Sequence, residues 1–433
     1  MDVRASAESY PGPSQEKVVS LAIMTDEPYG LYLHIPFCLR RCAYCDFFST
    51  VGKRRQIPAY VRALDREIER VGAAGGRPRV DTVFFGGGTP SLLDARRVRR
   101  ILDRIRNAFR LEAGAEVTIE ANPGMLDGGR LEGFRESGVN RLSLGVQSLD
   151  DGELRLLGRM HTTADAVHSV EDARRAGWTN ISLDLIFGLP GQTLDSWRRT
   201  LVRSLEMAPE HFSLYALTIE RGTPLARAVR RGEHPAPDED AAAEMYELAE
   251  DVMASAGYRQ YEISNWARAR PATVDVPSSE RRGEGKERFP GFACRHNLRY
   301  WLNLPYLGFG AGAHGCAAGR RYTNIRSLEK YCRRMAADRR RVFPLSAAAS
   351  SSRLRTPEQE RRETMWLGLR LTEAGVERGA YRSRFGEDFY DRFRKEIDSG
   401  MADGLLEWRG AKRDLRLTRR GRLLGNRAFR LFV

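Results

Sequence analysis

Cysteine is scarce in this chain: six residues in 433 are too few for a disulfide scaffold. No run of 18 apolar residues occurs, which excludes a membrane-spanning helix. The opening segment MDVRASAESYPGPSQEKVVS has no apolar core, so it does not read as a signal peptide, and a disordered leader is expected over residues 1–27. Acidic residues are in deficit, with 57 Asp+Glu against 71 Lys+Arg for a net +14. Half of that excess falls in residues 353–433, which hold 20 basic and 13 acidic side chains. These charges are spread along the segment and mark no single helix face, so they read as a solvated arginine-rich surface and not as a nucleic-acid footprint. At 42% hydrophobic the chain can bury a core, and it is long enough for two or three domains.

From residue 28 to about 220, apolar strand-like runs alternate with amphipathic helical stretches. The runs are LYLHIPF (31–37), DTVFFGG (81–87), EVTIEA (116–121), RLSLGV (141–146), NISLDLIFG (180–188) and HFSLYALTI (211–219). YVRALDREIERV and RRVRRILDRIRNAF are typical of the helical segments between them. Strands separated by helix-length segments predict βαβ units and a parallel sheet. Six such units predict an α/β fold, an incomplete (β/α)6 barrel over residues 28–265, with its chemistry at the C-terminal ends of the strands. Residues 266–290 are polar and aperiodic, which predicts a flexible insertion. Residues 291–344 resume with aromatics and glycines as an extension of the barrel. A linker, LSAAASSSRLR, then leads to two or three helices and a hairpin, so 345–433 is expected to form a small winged-helix-like domain.

Three of the six cysteines, Cys38, Cys42 and Cys45, fall within eight residues just after the first predicted strand. Such clustering suggests a metal site in a reducing cytoplasm. A structural zinc ion takes four protein ligands, and the fourth would have to come from elsewhere in the chain, such as Cys294, Cys316 or His34. On a [4Fe–4S] cluster, three thiolates leave one iron open to a chelating amino group and carboxylate. Polar residues gather at the other strand ends. GGGTP (86–90) ends the second strand, Glu120 ends the third, Gln147 follows the fourth with Arg159 beyond it, and Asp184 lies on the fifth. Buried carboxylates and guanidinium groups are costly unless paired, so their convergence would mark a polar ligand pocket.

The CxxxCxxC spacing, with the aromatic Tyr44 before its last cysteine, resembles the cluster motif of the radical S-adenosylmethionine (SAM) superfamily. The series LYLHIPFC, FFGGGTP, IEANP, LGVQS, LGRMHT, LDLIFGLPGQT and SLYALTIE resembles the oxygen-independent coproporphyrinogen III oxidases and their relatives. The resemblance runs from about residue 30 to 330. It implies a [4Fe–4S] cluster on Cys38, Cys42 and Cys45, with SAM on the open iron. It further implies that Tyr32, Gly87, Gly88, Thr89, Glu120, Gln147, Arg159 and Asp184 touch SAM, as does Tyr44 through its backbone.

Two departures separate this chain from the oxidases themselves. They resemble CxxxCxxCxC, whereas Phe47 stands at the position of their further cysteine. They also carry a long ordered N-terminal arm, where this chain offers a polar leader. YCDF is instead similar to the HemW-type branch, the radical-SAM haem chaperones. CRHNLRYW (294–301) matches the HNxxY pattern that this branch associates with haem, which implies His296 and Tyr300 as haem contacts, His296 as an iron ligand or its neighbour, and Arg295 and Arg299 as partners of the propionates. The expected function is therefore a cytoplasmic haem carrier that passes haem to an acceptor protein, a membrane-associated one among the options, with an unspecified electron donor. The alternatives are oxidation of coproporphyrinogen III and, more weakly, RNA modification guided by the basic C-terminal domain.

Overall fold

The computed structural model describes residues 27–270, 288–337 and 341–433. The expected leader, save Glu27, and residues 271–287 of the expected insertion lie outside the described residues. Each of the six predicted strand segments forms a strand: β1 Tyr29–Ile35, β2 Arg79–Gly87, β3 Arg110–Ala121, β4 Arg141–Gln147, β5 Ile181–Phe187 and β6 His211–Ala216. They pair in parallel in consecutive order. Parallel neighbours need crossover connections, supplied by α1 Ile57–Ala74, α2 Ala95–Ala108, α3 Gly128–Ser137, α4 Thr163–Arg175 and α5 Leu194–Glu206. Because the strand order never reverses, successive crossovers of one hand land on one face of the sheet, as in a barrel and not as in a doubly wound fold.

Strand parity decides what each face carries. Leu31, Leu33 and Ile35, Val83 and Phe85, Val117 and Ile119, Leu142 and Leu144, and Leu183 and Leu185 are buried in the main core. On α2, Val98, Ile101, Leu102 and Ile105 recur at helical spacing and are all buried in it. The alternate strand positions carry Tyr32 and His34, Thr82, Thr118 and Glu120, Ser143, Ser182 and Asp184. The helix-covered face is thus apolar, and the opposite face is a polar lumen.

The sheet extends beyond the six strands to twelve. Tyr306–Phe309 joins β1 in parallel, so the extension grows on the β1 edge and not after β6. His314–Ala317, Arg320–Asn324 and Ala349–Leu354 follow it, each antiparallel to its neighbour. Asn265–Ala267 pairs antiparallel with β6 and Arg259–Glu262 pairs antiparallel with it in turn, so the barrel sheet includes residue 267 and runs past the expected boundary at 265. The expected linker also contains an edge strand, Ala349–Leu354, and the main sheet therefore runs past residue 345. That strand is a polar run exposed along nearly its whole length, so it joins through backbone hydrogen bonds and leaves no apolar alternation to read. Glu67 of α1 fastens the extension: its buried carboxylate accepts from Gly310 N–H (2.7 Å), Asn324 Nδ2 (2.8 Å), Tyr331 Oη (2.7 Å) and Ser346 Oγ (2.5 Å).

The C-terminal domain has the winged-helix character expected. Helices Pro357–Gly368, Arg378–Phe385 and Arg394–Ala402 precede the hairpin Leu406–Arg409/Asp414–Leu417. They enclose a separate core that includes Met365, Tyr381, Phe389, Phe393, Ile397 and Leu415. Arg419 and Arg422 pair with Glu250 (3.0 and 2.7 Å) on the helix Glu239–Ser255 and join this domain to the barrel. Among the described residues, no helix is long and apolar enough to cross a membrane.

Candidate cluster and ligand site

The cysteine loop is held at both ends and at its middle. Phe37–Cys38 pairs with Thr50–Val51. Ala43 donates its N–H to Leu157 O and accepts from Leu225 N–H, both at 2.9 Å. Cys38, Cys42 and Cys45 are free thiols and half-buried. Burial pushes the Cys38 and Cys45 thiols up. Neither Cys294 nor His34, both weighed as a fourth protein ligand, is open to serve as one. The Cys294 thiol is fully buried against Glu116 Oε1 (3.5 Å) and pushed up to about 12, chiefly by burial. His34 spends both ring nitrogens, on Tyr32 Oη (3.1 Å) and Phe48 O (2.8 Å).

The end of β2 lies directly against this loop. Gly88 donates to Ile35 O (3.0 Å) and Thr89 to Phe37 O (2.8 Å). A Cβ at Gly88 would sit 2.8 Å from Phe37 O, and one at Gly87, where φ is 113°, would sit 2.6 Å from the His34 ring. Only glycine permits that approach. Thr89 Oγ1 donates to Cys38 Sγ (3.7 Å) and accepts from Asn122 Nδ2 (3.1 Å). Arg159 points one arm at Cys42 Sγ (3.3 Å) and the other at Asn122 Oδ1 and Gly145 O, both 2.6 Å. Its Nε is buried with no partner among the described residues, a donor available to a ligand. Tyr44 packs against the small cluster of Leu157, Ile186 and Leu189.

Two carboxylates face the lumen. Glu120 accepts from Gly87 N–H at 3.2 Å, while Asp184 accepts from Ser143 Oγ (3.1 Å) and Ser182 Oγ (3.4 Å). Burial, then the neighbouring Asp184 charge, pushes Glu120 up to about 8; Gly87 N–H and Arg141 oppose the shift. Burial also raises Asp184, against its serine hydroxyls and Arg141. Gln147 adopts φ 68°, a strained region for a side-chain-bearing residue, and its amide lies over Gly145. The structure thus brings the three thiols, Thr89 and Arg159 together, with Glu120 and Asp184 along the adjoining lumen. Sequence reasoning passed over two participants. Asn122 bridges Thr89 and Arg159, although it stands in the IEANP motif. Arg141 is fully buried among these acids, marked only by its place at the start of β4.

The HNLRYW segment forms the helix Arg295–Trp301, and Glu116 of β3 accepts the N–H groups of Arg295 and His296, both at 3.1 Å. His296 and Tyr300 share a face, as their spacing predicted, and are joined Nε2 to Oη at 2.9 Å. His296 Nδ1 meets Thr82 Oγ1 at 2.9 Å, and its ring stacks on Phe84. Burial, aided by Arg299 and Arg141, brings its pKa down to about 3. Both ring nitrogens are therefore engaged, and the expected axial ligand is closed to iron in this arrangement. Arg299 is equally committed: it is buried and paired with Asp81 (2.5 Å). Arg295 lies 3.6 Å from the same carboxylate and donates to Gly114 O. The proposed propionate partners thus belong to the wall. Tyr300 alone of this motif borders a cavity of about 400 Å³ beside the cysteine loop.

A consecutively wound parallel sheet with a three-thiol loop behind its first strand is the architecture of the radical SAM class, and a sequence profile of the Radical SAM superfamily matches residues 32–203. A second profile, HemN C-terminal domain, matches residues 356–424. Across nearly its whole length the chain belongs to the HemW family of haem chaperones. It is 36% identical over 403 residues to the haem chaperone HemW of Bacillus subtilis (strain 168), covering 93% of this chain and 98% of that one. It is 36% identical over 416 residues to the protein of the same name from Mycobacterium tuberculosis (strain ATCC 25618 / H37Rv), covering 95% and 97%. In structure it resembles coproporphyrinogen III oxidase (HemN) from Escherichia coli, a radical SAM enzyme, with a TM-score of 0.76 and 24% identity over 94% of this chain and 91% of that one. At that identity the likeness speaks for the fold alone.

Proposed function

We propose that this protein binds haem and passes it to an acceptor protein, while carrying a [4Fe–4S] cluster on Cys38, Cys42 and Cys45 with SAM on the open iron. The observation that carries the reading is the full-length similarity to haem chaperones. The donor set is suited to the cofactors: three free thiols, a glycine edge that admits a ligand against the backbone, and the buried, unpartnered Nε of Arg159. When bound, the cluster can deliver an electron to the sulfonium of SAM. Gly87, Gly88 and Thr89 would let the ligand lie close against the main chain at the end of β2. Glu120, Gln147, Arg159 and Asp184 would orient its polar groups, Tyr32 would border it from β1, and Tyr44 would meet it through its backbone. His296 would act in haem binding from behind, holding the Tyr300 hydroxyl at the cavity wall.

The oxidase reading is not favoured, since Phe47 stands where the oxidases' further cysteine would be. The test is anaerobic reconstitution with iron and sulfide followed by haem titration. Stoichiometric haem binding with a Soret band, and movement of that haem to an acceptor such as an apo-haem protein, are expected. A reconstituted protein that takes up no haem would overturn the reading.

A further inference from the structure

Asn122 stands immediately after β3 and makes no hydrogen bond to a cysteine among the described residues. It nevertheless stands behind two of the three thiols. Its Oδ1 accepts from Arg159 Nη2 at 2.6 Å, and its Nδ2 donates to Thr89 Oγ1 at 3.1 Å. Arg159 Nη1 reaches Cys42 Sγ at 3.3 Å, and Thr89 Oγ1 reaches Cys38 Sγ at 3.7 Å. One amide thus links the donors of two different thiols.

The direction of each bond in this relay follows from what each group can offer. A guanidinium only donates, so Asn122 turns its oxygen to Arg159 and its amide nitrogen to Thr89. A hydroxyl has one proton to give. With a lone pair of Thr89 facing the Asn122 amide, that proton is left for Cys38. Arg159 Nη2 is held by Gly145 O as well, also at 2.6 Å, which leaves Nη1 for Cys42. Cys45 takes its donor from the backbone at Phe47 and lies outside the relay.

Hydrogen bonds to the cysteine sulfurs of an iron–sulfur cluster are among the factors that set its reduction potential. Donors stabilise the more negative, reduced state and so raise that potential. We propose that Asn122 is a positioning residue that sets the potential of the cluster by holding a hydroxyl on Cys38 and a guanidinium on Cys42 at the same time, an inference that rests on the cluster reading. The step it governs is the gain of one electron, [4Fe–4S]2+ to [4Fe–4S]+, from an outside reductant, with no proton or group transferred. Without Asn122, Thr89 is free to turn its proton elsewhere and Arg159 loses one of the two acceptors on Nη2. Both thiolates then carry more of the added charge unaided.

The test is an anaerobic redox titration of the reconstituted full chain without SAM, using dithionite and mediators. It is read by electron paramagnetic resonance of the reduced cluster and normalised to iron and sulfide content. At a fixed solution potential, Asn122→Ala should lower the ratio of reduced to oxidised cluster about tenfold, equivalent to about 59 mV for one electron. Thr89→Val should lower it by a smaller factor. Added to Asn122→Ala, it should change little, because the Cys38 donor is already lost. If the alanine variant assembles no cluster, Asn122→Asp carries the same test. It keeps the bond to Arg159, but its carboxylate draws the Thr89 proton away from Cys38, and the ratio should again fall. A wild-type potential in Asn122→Ala or Asn122→Asp would overturn the inference, as would a Thr89→Val shift that is undiminished in the Asn122→Ala background. If the wild type assembles no cluster, the cluster reading itself falls and the inference with it.

Discussion

Glu120 is a carboxyl group buried beside a second acid, with Gly87 N–H and the Arg141 charge only partly offsetting the cost. Its folded pKa of about 8 lies above the ordinary 4.5. Between those values the unfolded chain is ionised and the folded one protonated, so this group's contribution to stability falls as pH rises from about 4.5 to 8 and stays low above that. Glu120→Gln keeps an acceptor for Gly87 and removes the titration. In chemical denaturation without SAM, the variant should match the wild type near pH 5 and exceed it by about 1–3 kcal/mol at pH 8.5, while SAM binding weakens. Equal stability at both pH values would contradict the assigned burial. At the neighbouring loop, Cys38→Ala, Cys42→Ala and Cys45→Ala should each abolish the broad thiolate-to-iron absorbance after reconstitution. Cys332→Ala, on the helix Leu328–Ala336, should retain it. Full cluster content in Cys42→Ala would remove the cluster from this loop.

The helix Arg295–Trp301 is only two turns long and too short to hold itself in water. It is held by Glu116, whose carboxylate accepts its first N–H groups, and by the Arg299–Asp81 pair. Glu116→Ala should cost about 1–2 kcal/mol in stability. It should also weaken haem binding by loosening Tyr300, with cluster content unchanged; wild-type haem affinity in a destabilised variant would uncouple this helix from the site. The extension strands depend on a different anchor. Glu67→Ala would leave four buried donors without their acceptor, and a loss of about 3 kcal/mol or more is expected in thermal or chemical unfolding. The barrel helices are legible because Val98, Ile101, Leu102 and Ile105 repeat at helical spacing. The edge strand Ala349–Leu354 is not, because an exposed polar strand buries too little to leave a pattern.

For the molecule as a whole, the consecutive parallel order builds one polar lumen, and the extension closes over its β1 edge to form the cavity next to the cysteine loop. The cavity and the strand ends proposed to hold SAM thus adjoin, sharing Tyr32 and the loop itself. Supplied anaerobically with coproporphyrinogen III, SAM and a reductant, the protein should form no protoporphyrinogen, because Phe47 occupies the place of the oxidases' further cysteine. Sustained product formation would move decarboxylation to first place.

The sequence by itself determined the six barrel strands, the helices between them, the three-thiol spacing and the face shared by His296 and Tyr300. All of these are local: periodicity reports side-chain burial one element at a time, and ligand spacing lies within a single loop. Only the tertiary structure decided which nitrogens and guanidinium groups are free. His296 meets Thr82 across 214 positions of chain, and Arg299 meets Asp81 across 218. Arg159 reaches Cys42 across 117. A hydrogen bond between distant residues leaves no periodic trace, because each partner alone looks like any polar side chain. For that reason the motif histidine is legible in the sequence, while its closed nitrogens depend on how the strands pair.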